Sequence, residues 1–249
     1  MTLTQRHNLG MAASLAALFL LLWALAVPLA ELPQPIGPAA EQFALGAKTT
    51  VALTLWSGAA RMVLGVLAGI GKLSSFLPLR SACSFYVWII RGTPLLTQIL
   101  FVYLALPVIV PGLQLSEFWS AVVALAVNVG AYNAEVIRAG VLNVPRGQVQ
   151  AAQSLGLSNR LTFAHVILPQ AMRFAVAPLA NNVVALLKDS SLAYAIGVVE
   201  LNMIAQRVQA ESFQPVPVFI TVAGIYLLLT TTFTRFSAAL EAKMQLSRA

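Results

Sequence analysis

Apolar residues gather along this chain into six long runs, at residues 9–30, 49–70, 86–110, 118–137, 174–199 and 216–233, with short polar gaps between them. A bilayer core of ~30 Å takes ~20 helical residues per crossing, so each run predicts one transmembrane helix. The fold class that follows is an all-α integral membrane protein, a helical bundle of about six spans. The first run follows Arg6 and His7 in the manner of a secretory leader, with Ala30 near a cleavage point. Its uninterrupted length exceeds the ~7–15 apolar residues of such a leader, and it reads as an uncleaved helix. The next gap, 31–47, carries Glu31, Glu41, Pro33, Pro35 and Pro38 and reads as an extracytoplasmic loop. The chain thus divides into a leading helix and loop at 1–48, a transmembrane domain at 49–241 and a tail at 242–249.

Of the 249 residues 59% are hydrophobic and 9% charged, with a mean hydropathy of +0.83. That leaves no room for a second, soluble domain. The balance of 15 Lys and Arg against 8 Asp and Glu would suit nucleic acid, but the basic residues lie scattered between apolar runs and form no stripe. Nucleic acid is not a predicted partner. Six spans place both termini on one side. If that side is the cytoplasm, it receives Arg6, Lys72, Arg80, Arg138, Arg146, Arg160, Arg173, Arg235, Lys243 and Arg248, and the opposite side only Lys48 and Arg207. This is the positive-inside bias, with Glu31, Glu41, Glu117, Glu200 and Glu211 outside.

One polar, helix-compatible segment interrupts the apolar pattern: GQVQAAQSLGLSNRLTFAHVILPQ at 147–170. Pro145 favours a helix start, Gly156 can end that helix, and Ser158 can cap another. The reading is a short helix, a bend and a second short helix, within a cytoplasmic arm at 140–173.

Catalytic chemistry is hard to find. The stretch 65–74, GVLAGIGKLS, ends in Gly-Lys, yet Val66 stands where a phosphate-binding loop needs its first Gly, and Leu73 replaces the Ser or Thr that holds Mg²⁺. The chain lacks its own nucleotide site, so any ATP must be hydrolysed by a partner. Cys83 is the only cysteine, which rules out a disulfide or cysteine metal site within one chain, and it reads as a small apolar filler. His7 and His165 fall in the terminal segment and the arm, and no catalytic motif appears at useful spacing. No catalytic residue, metal or cofactor is predicted.

The arm resembles the EAA loop of ABC-importer permeases, from Gly147-Gln148 through Ala151-Ala152 and Leu155-Gly156 to Ile167-Leu168-Pro169-Gln170. The resemblance covers most of 49–241 and is to the polar amino acid uptake branch. Its marks are Tyr86, then Arg91-Gly92-Thr93-Pro94-Leu95-Leu96-Thr97-Gln98, Glu135-Val136-Ile137-Arg138-Ala139-Gly140 and Val144-Pro145-Arg146-Gly147-Gln148. Asn181, Lys188-Asp189-Ser190-Ser191-Leu192, Glu200-Leu201 and Glu241 follow in order.

The resemblance implies a permease subunit in a bacterial inner membrane that moves a polar amino acid into the cytoplasm. Its implied partners are a cytoplasmic ABC ATPase, an extracytoplasmic substrate-binding protein and a second permease subunit, identical or related, with lipid around them. ATP binding would close the ATPases, move the arms and turn the cavity outward. Coupling would fall to Gly147, Gln150, Ala151, Ala152, Leu155 and Gly156. Gln150 departs from the family pattern, which usually has Glu there, and loses a negative charge. Members of this branch commonly have five spans, so the run at 9–30 is an addition.

Charges inside apolar runs each cost a few kcal/mol at the bilayer centre, on the order of 3 on insertion scales, and should face protein or water. Arg61 falls mid-way along the second run, Arg91 near the cytoplasmic start of the third, Glu135 near the cytoplasmic end of the fourth, and Lys188 with Asp189 in the middle of the fifth. Glu135 and Arg138 share a helix face and suit an interfacial pair. Lys188 and Asp189 point about 100° apart on a helix and need partners elsewhere. By resemblance Lys188, Asp189 and Ser191 border the translocation pathway; the alternative is a buried ion pair with Arg61 or Arg91. Arg61 is read either as a structural partner or as a ligand for a substrate carboxylate. Gly92 and Pro94 mark a bend, and Gln98, Asn128, Tyr132 and Asn133 are candidate neighbours of the pathway. Two rival functions remain: an ion-gradient transporter using Asp189 and Glu135, which lacks an evident internal repeat, and a non-transporting scaffold, which leaves the polar fifth run without a purpose.

Overall fold

The computed structural model describes residues 3–246, with side chains from 7 to 243; the expectations for the Arg6 and Arg248 side chains and the end of the tail lie outside them. Every regular element among the described residues is helical. The first crossing, His7–Ala30, consists of α1 (Leu3–Ala24) and α2 (Ala26–Ala30). Helix α3 (Ala40–Gly71) starts well before residue 49, which shortens the predicted 31–47 loop. Phe43, Ala44 and Ala47 are buried against Leu25 and Leu29 of the first crossing and Leu201 and Ile204 beyond the fifth. That burial draws the helix out past the polar residues at which the sequence suggests a start.

Helix α7 (Glu117–Leu142) is the spine of the bundle and runs parallel to α3. A Cβ on Gly65 would sit 2.6 Å from the Asn133 Cβ, and one on Gly69 2.9 Å from the Ala134 carbonyl oxygen. In lipid, helices gain little from hiding apolar surface from one another, so close approach over small residues carries the association. Ser116 caps α7, its Oγ accepting from the Trp119 N–H at 3.4 Å.

The predicted third span is broken. Helices α4 (Leu77–Arg91) and α5 (Leu95–Leu100) meet at 110° across Gly92-Thr93-Pro94, the predicted bend. A π-turn at 101–105 then leads into α6 (Leu106–Ile109). Five helices are long and apolar enough to cross a membrane, or six crossings if the bent pair is one. Hydrogen bonds decide the count. Lys72, just before α4, bonds Glu135 near the end of α7, and Tyr103, past α5, donates to Glu117 at its start. Those two carboxylates lie about 27 Å apart along the helix axis, so the bent pair travels the bilayer once and the crossings number six.

The arm differs from its prediction in one respect. Helix α8 (Arg146–Ser154) stands alone, but α9 (Asn159–Thr162) does not stop: it passes through a π-turn at 163–167 into α10 (Leu168–Asp189). The second short helix is therefore the base of the fifth span. A 3₁₀ turn at 190–196 closes that span, the unpredicted α11 (Leu201–Ser212) follows, and α12 (Pro215–Leu246) makes the last crossing. Near the chain ends, a Cβ on Gly10 would lie 3.7 Å from the Ala239 Cβ. Both described ends thus share the end of the bundle that carries α8.

Candidate functional site

The arm is built by backbone chemistry. Gly156 adopts φ +82°, a left-handed conformation that glycine takes without steric cost. Its N–H bonds the Gln153 carbonyl at 2.9 Å and the Leu157 N–H bonds the Ala152 carbonyl at 3.1 Å, the paired closure of a Schellman cap. Ser158 then caps α9 by accepting from the Leu161 N–H at 3.4 Å. This turn presents Leu155 to solvent, 81% exposed, beside exposed Gly147, Gln150, Ala151 and Gly156. Ala152 does not belong to that surface: it is buried. A polar recess of about 410 Å³ opens between α8 and the base of α10, lined by Gln148, His165, Pro169, Gln170, Arg173 and Phe174 among others.

Next to the arm, Glu135 lies between two cations. Its Oε2 accepts from Arg138 Nε at 2.9 Å, the predicted pair, and its Oε1 bonds Lys72, which the sequence reading left unpaired. Arg91 stacks over the Tyr132 ring at 5.1 Å, and these residues share a cavity of about 440 Å³ with Ser84 and Trp88. An exposed cation on an aromatic face is stabilised by about 0.5–1 kcal/mol.

Further into the bundle the polar residues form a seam. Gln98 is occupied at the break: its Nε2 donates to the Ile90 carbonyl (2.8 Å) and to Thr93 Oγ1 (2.8 Å), and its Oε1 accepts from Asn128 (2.9 Å). It satisfies backbone groups freed around Pro94, so its role is that of a clamp on the bend. Asn182 of α10 donates to Asn133 of α7 at 2.9 Å. Arg61 is buried, 2% exposed, and the alternative ion pair of Asp189 with Arg61 or Arg91 does not form; the carboxylate that pairs with cations here is Glu135, with Lys72 and Arg138. Lys188 and Asp189 stand in the last turn of α10, away from its middle, because the helix ends at Asp189, well before the predicted end at 199. Ser191 is half-buried in the 3₁₀ turn that follows.

Above the seam, Glu200 is fully buried and caps α11. Its carboxylate accepts from the N–H groups of Asn202 (2.9 Å) and Met203 (2.8 Å) and from the Tyr226 hydroxyl (3.1 Å). Burial pushes its pKa up from 4.5 to about 7, against the pull of those hydrogen bonds.

Six crossings, a capped arm at one end and a polar seam inside define a multi-pass transport subunit. Residues 61–246 match the family described as binding-protein-dependent transport system inner membrane component. The chain is 38% identical over 196 residues to the L-cystine transport system permease protein TcyB of Bacillus subtilis, covering 78% of this chain and 83% of that one. It is 35% identical over 211 residues to the glutamine transport system permease protein GlnP of Escherichia coli, covering 85% and 96%. A crystal structure of an amino acid ABC transporter with histidines superposes with a TM-score of 0.76 at 34% identity, covering 82% of this chain and 94% of that one. The chain belongs to this family of inner membrane permease components. As such it lacks ATPase activity of its own and works with an ATPase and a binding protein. The ion-gradient transporter and scaffold readings are thereby set aside.

Proposed function

We propose that the chain is one of two permease subunits of an importer that carries a polar amino acid into the cytoplasm, with α8 and both termini on the cytoplasmic side. The observation that carries the pairing is a stripe along α10. Phe174, Pro178, Asn181, Ala185 and Lys188 are all exposed at helical spacing on one face of a membrane helix. A charged lysine and an amide on a face turned to lipid are unfavourable, so this face belongs against a second subunit with a polar path between them. The substrate class rests on the relatives, whose names give cystine, glutamine and arginine transport.

Coupling then runs through the exposed Gly147, Gln150, Ala151, Leu155 and Gly156 surface, which fits a groove on the ATPase. Gln150 offers that groove a hydrogen bond without a charge. The test is cross-linking of Ala185→Cys in a Cys83→Ser background, in membranes carrying the complete transporter. With a cysteine at the matching position of the second permease subunit and copper phenanthroline as oxidant, a disulfide between the two subunits is expected. A cysteine that reacts only with lipid-soluble reagents would overturn the pairing.

A further inference from the structure

We infer that Arg61 is an anion-binding residue of the transport path, holding the carboxylate of the amino acid in transit; this rests on the importer reading. The inference starts from one face of α3. Thr50, Thr54, Ser57 and Arg61 follow one another at spacings of three and four residues and are all buried. The two threonines spend their hydroxyls within the helix: Thr50 Oγ1 donates to the Gly46 carbonyl at 3.0 Å and Thr54 Oγ1 to the Thr50 carbonyl at 2.8 Å. Ser57 and Arg61 do not. Ser57 Oγ and Arg61 Nε and Nη1 are buried without a hydrogen-bond partner.

The unsatisfied groups have a common character. Nε carries one N–H and Nη1 two, and the serine adds an O–H, all within about 6 Å along the helix axis. No carboxylate forms an ion pair with Arg61 among the described residues; Glu135 engages Lys72 and Arg138 instead. A buried, unpaired guanidinium costs several kcal/mol, roughly what breaking a buried ion pair costs, and a structural role would have supplied an acceptor. A cluster of donors without an acceptor calls for a ligand that only accepts. An ionised carboxylate does so, with about four lone-pair sites on two oxygens.

Position supports the same reading. Arg61 lies about midway through the bilayer: the Cβ-equivalent point of Gly130, near the middle of α7, is 3.7 Å from the Arg61 carbonyl oxygen. One turn further along α3, a Cβ on Gly65 would meet Asn133, which holds Asn182 of α10. A cation there sits between the two ends of the crossing, where a substrate carboxylate loses the most hydration and most needs replacement donors.

The experiment uses the complete transporter, with its ATPase, second permease subunit and binding protein, in proteoliposomes loaded with ATP. Uptake of L-glutamine, L-cystine and L-arginine is measured for the wild type, Arg61→Met and Arg61→Lys, together with the Tm of each purified complex. Arg61→Met is expected to lower uptake of the accumulated amino acid about tenfold to a hundredfold, as loss of a charge-assisted hydrogen bond does. It should also raise Tm by about 2–4 °C or more, because an unpaired buried charge is gone. Arg61→Lys keeps the charge and should recover part of the uptake.

Wild-type uptake in Arg61→Met, or lost uptake with a lowered Tm, would overturn the inference. So would an Arg61→Lys variant no better than Arg61→Met. A wild-type complex that accumulates none of the three amino acids would instead count against the substrate class proposed above.

Discussion

Substituting Gly65 by alanine tests the packing that fixes the seam. The added Cβ would lie 2.6 Å from the Asn133 Cβ, whereas carbon atoms in good contact stand about 3.5–4.0 Å apart. Helices α3 and α7 must therefore part locally by about 1 Å, and neither contact atom is the free end of a side chain. A gap of that size forfeits about a quarter to a half of each pair attraction along the seam, where a Cβ on Gly69 or Gly130 would already meet its neighbours at 2.9 and 3.0 Å. Overpacking of this kind costs about 1–3 kcal/mol. The shift also disturbs the 2.9 Å bond from Asn182 to Asn133, of a kind that contributes about 0.6 kcal/mol in membranes. The assay is unfolding of the purified permease in mixed micelles, followed by tryptophan fluorescence. Gly224→Ala is the control. No atom lies within 4 Å of its Cβ position, so it should be neutral or gain about 0.5–1 kcal/mol. Equal stability of Gly65→Ala and the wild type would refute the account of the seam.

The remaining predictions concern the arm and the capped glutamate. Leu155→Asp places a charge on the exposed tip of the arm and should cut ATPase co-purification about tenfold or more, with the permease still inserted; undiminished ATPase recovery would move docking elsewhere. Gly156→Val forces a β-branched residue to φ +82°, at a cost of about 1–2 kcal/mol, and should uncouple substrate-stimulated ATP hydrolysis, measured in proteoliposomes against basal hydrolysis. The Glu200 carboxyl ionises at about 7 when folded and near 4.5 when free, so between those values the folded state holds the extra proton. Stability present below pH ~4.5 is then lost as pH rises through ~7, by on the order of 3 kcal/mol. Tm measured from pH 4.5 to 7.5 should fall in the wild type and fall less in Glu200→Gln; parallel curves would contradict it.

Most of the fold can be read from the chain because lipid imposes one rule, a long apolar helix per crossing, and five of the six runs obey it; the third is bent by 110° at Gly92-Thr93-Pro94. Departures occur where tertiary contacts act. The 40–47 segment reads as part of a loop, with Glu41 in it and Pro33, Pro35 and Pro38 before it, yet Phe43 and Ala47 have a buried surface to join. The second short helix of the arm runs on into the fifth span because a wide π-turn at 163–167 precedes Pro169 and accommodates a ring that would clash with a regular turn. Helix α11 is too polar to register as a span and too short to register otherwise.

The arm was legible through Gly156 and Ser158, whose capping chemistry is local. The burial of Ala152 was not, because it depends on which face of α8 meets the chain at 159–167. That Arg61 is buried without an ion-pair partner and that Lys188 is exposed at the end of α10 were beyond sequence reasoning, since both depend on the depth at which each helix crosses its neighbours.

The central claim is that this subunit imports an amino acid at the expense of ATP hydrolysed by a separate partner. Its most direct test is radiolabelled amino acid uptake into proteoliposomes holding this chain with its ATPase, second permease subunit and binding protein, each omitted in turn. Uptake that requires ATP, the ATPase and the binding protein is the predicted result. Uptake that persists without the ATPase and collapses when an ion gradient is dissipated would contradict it.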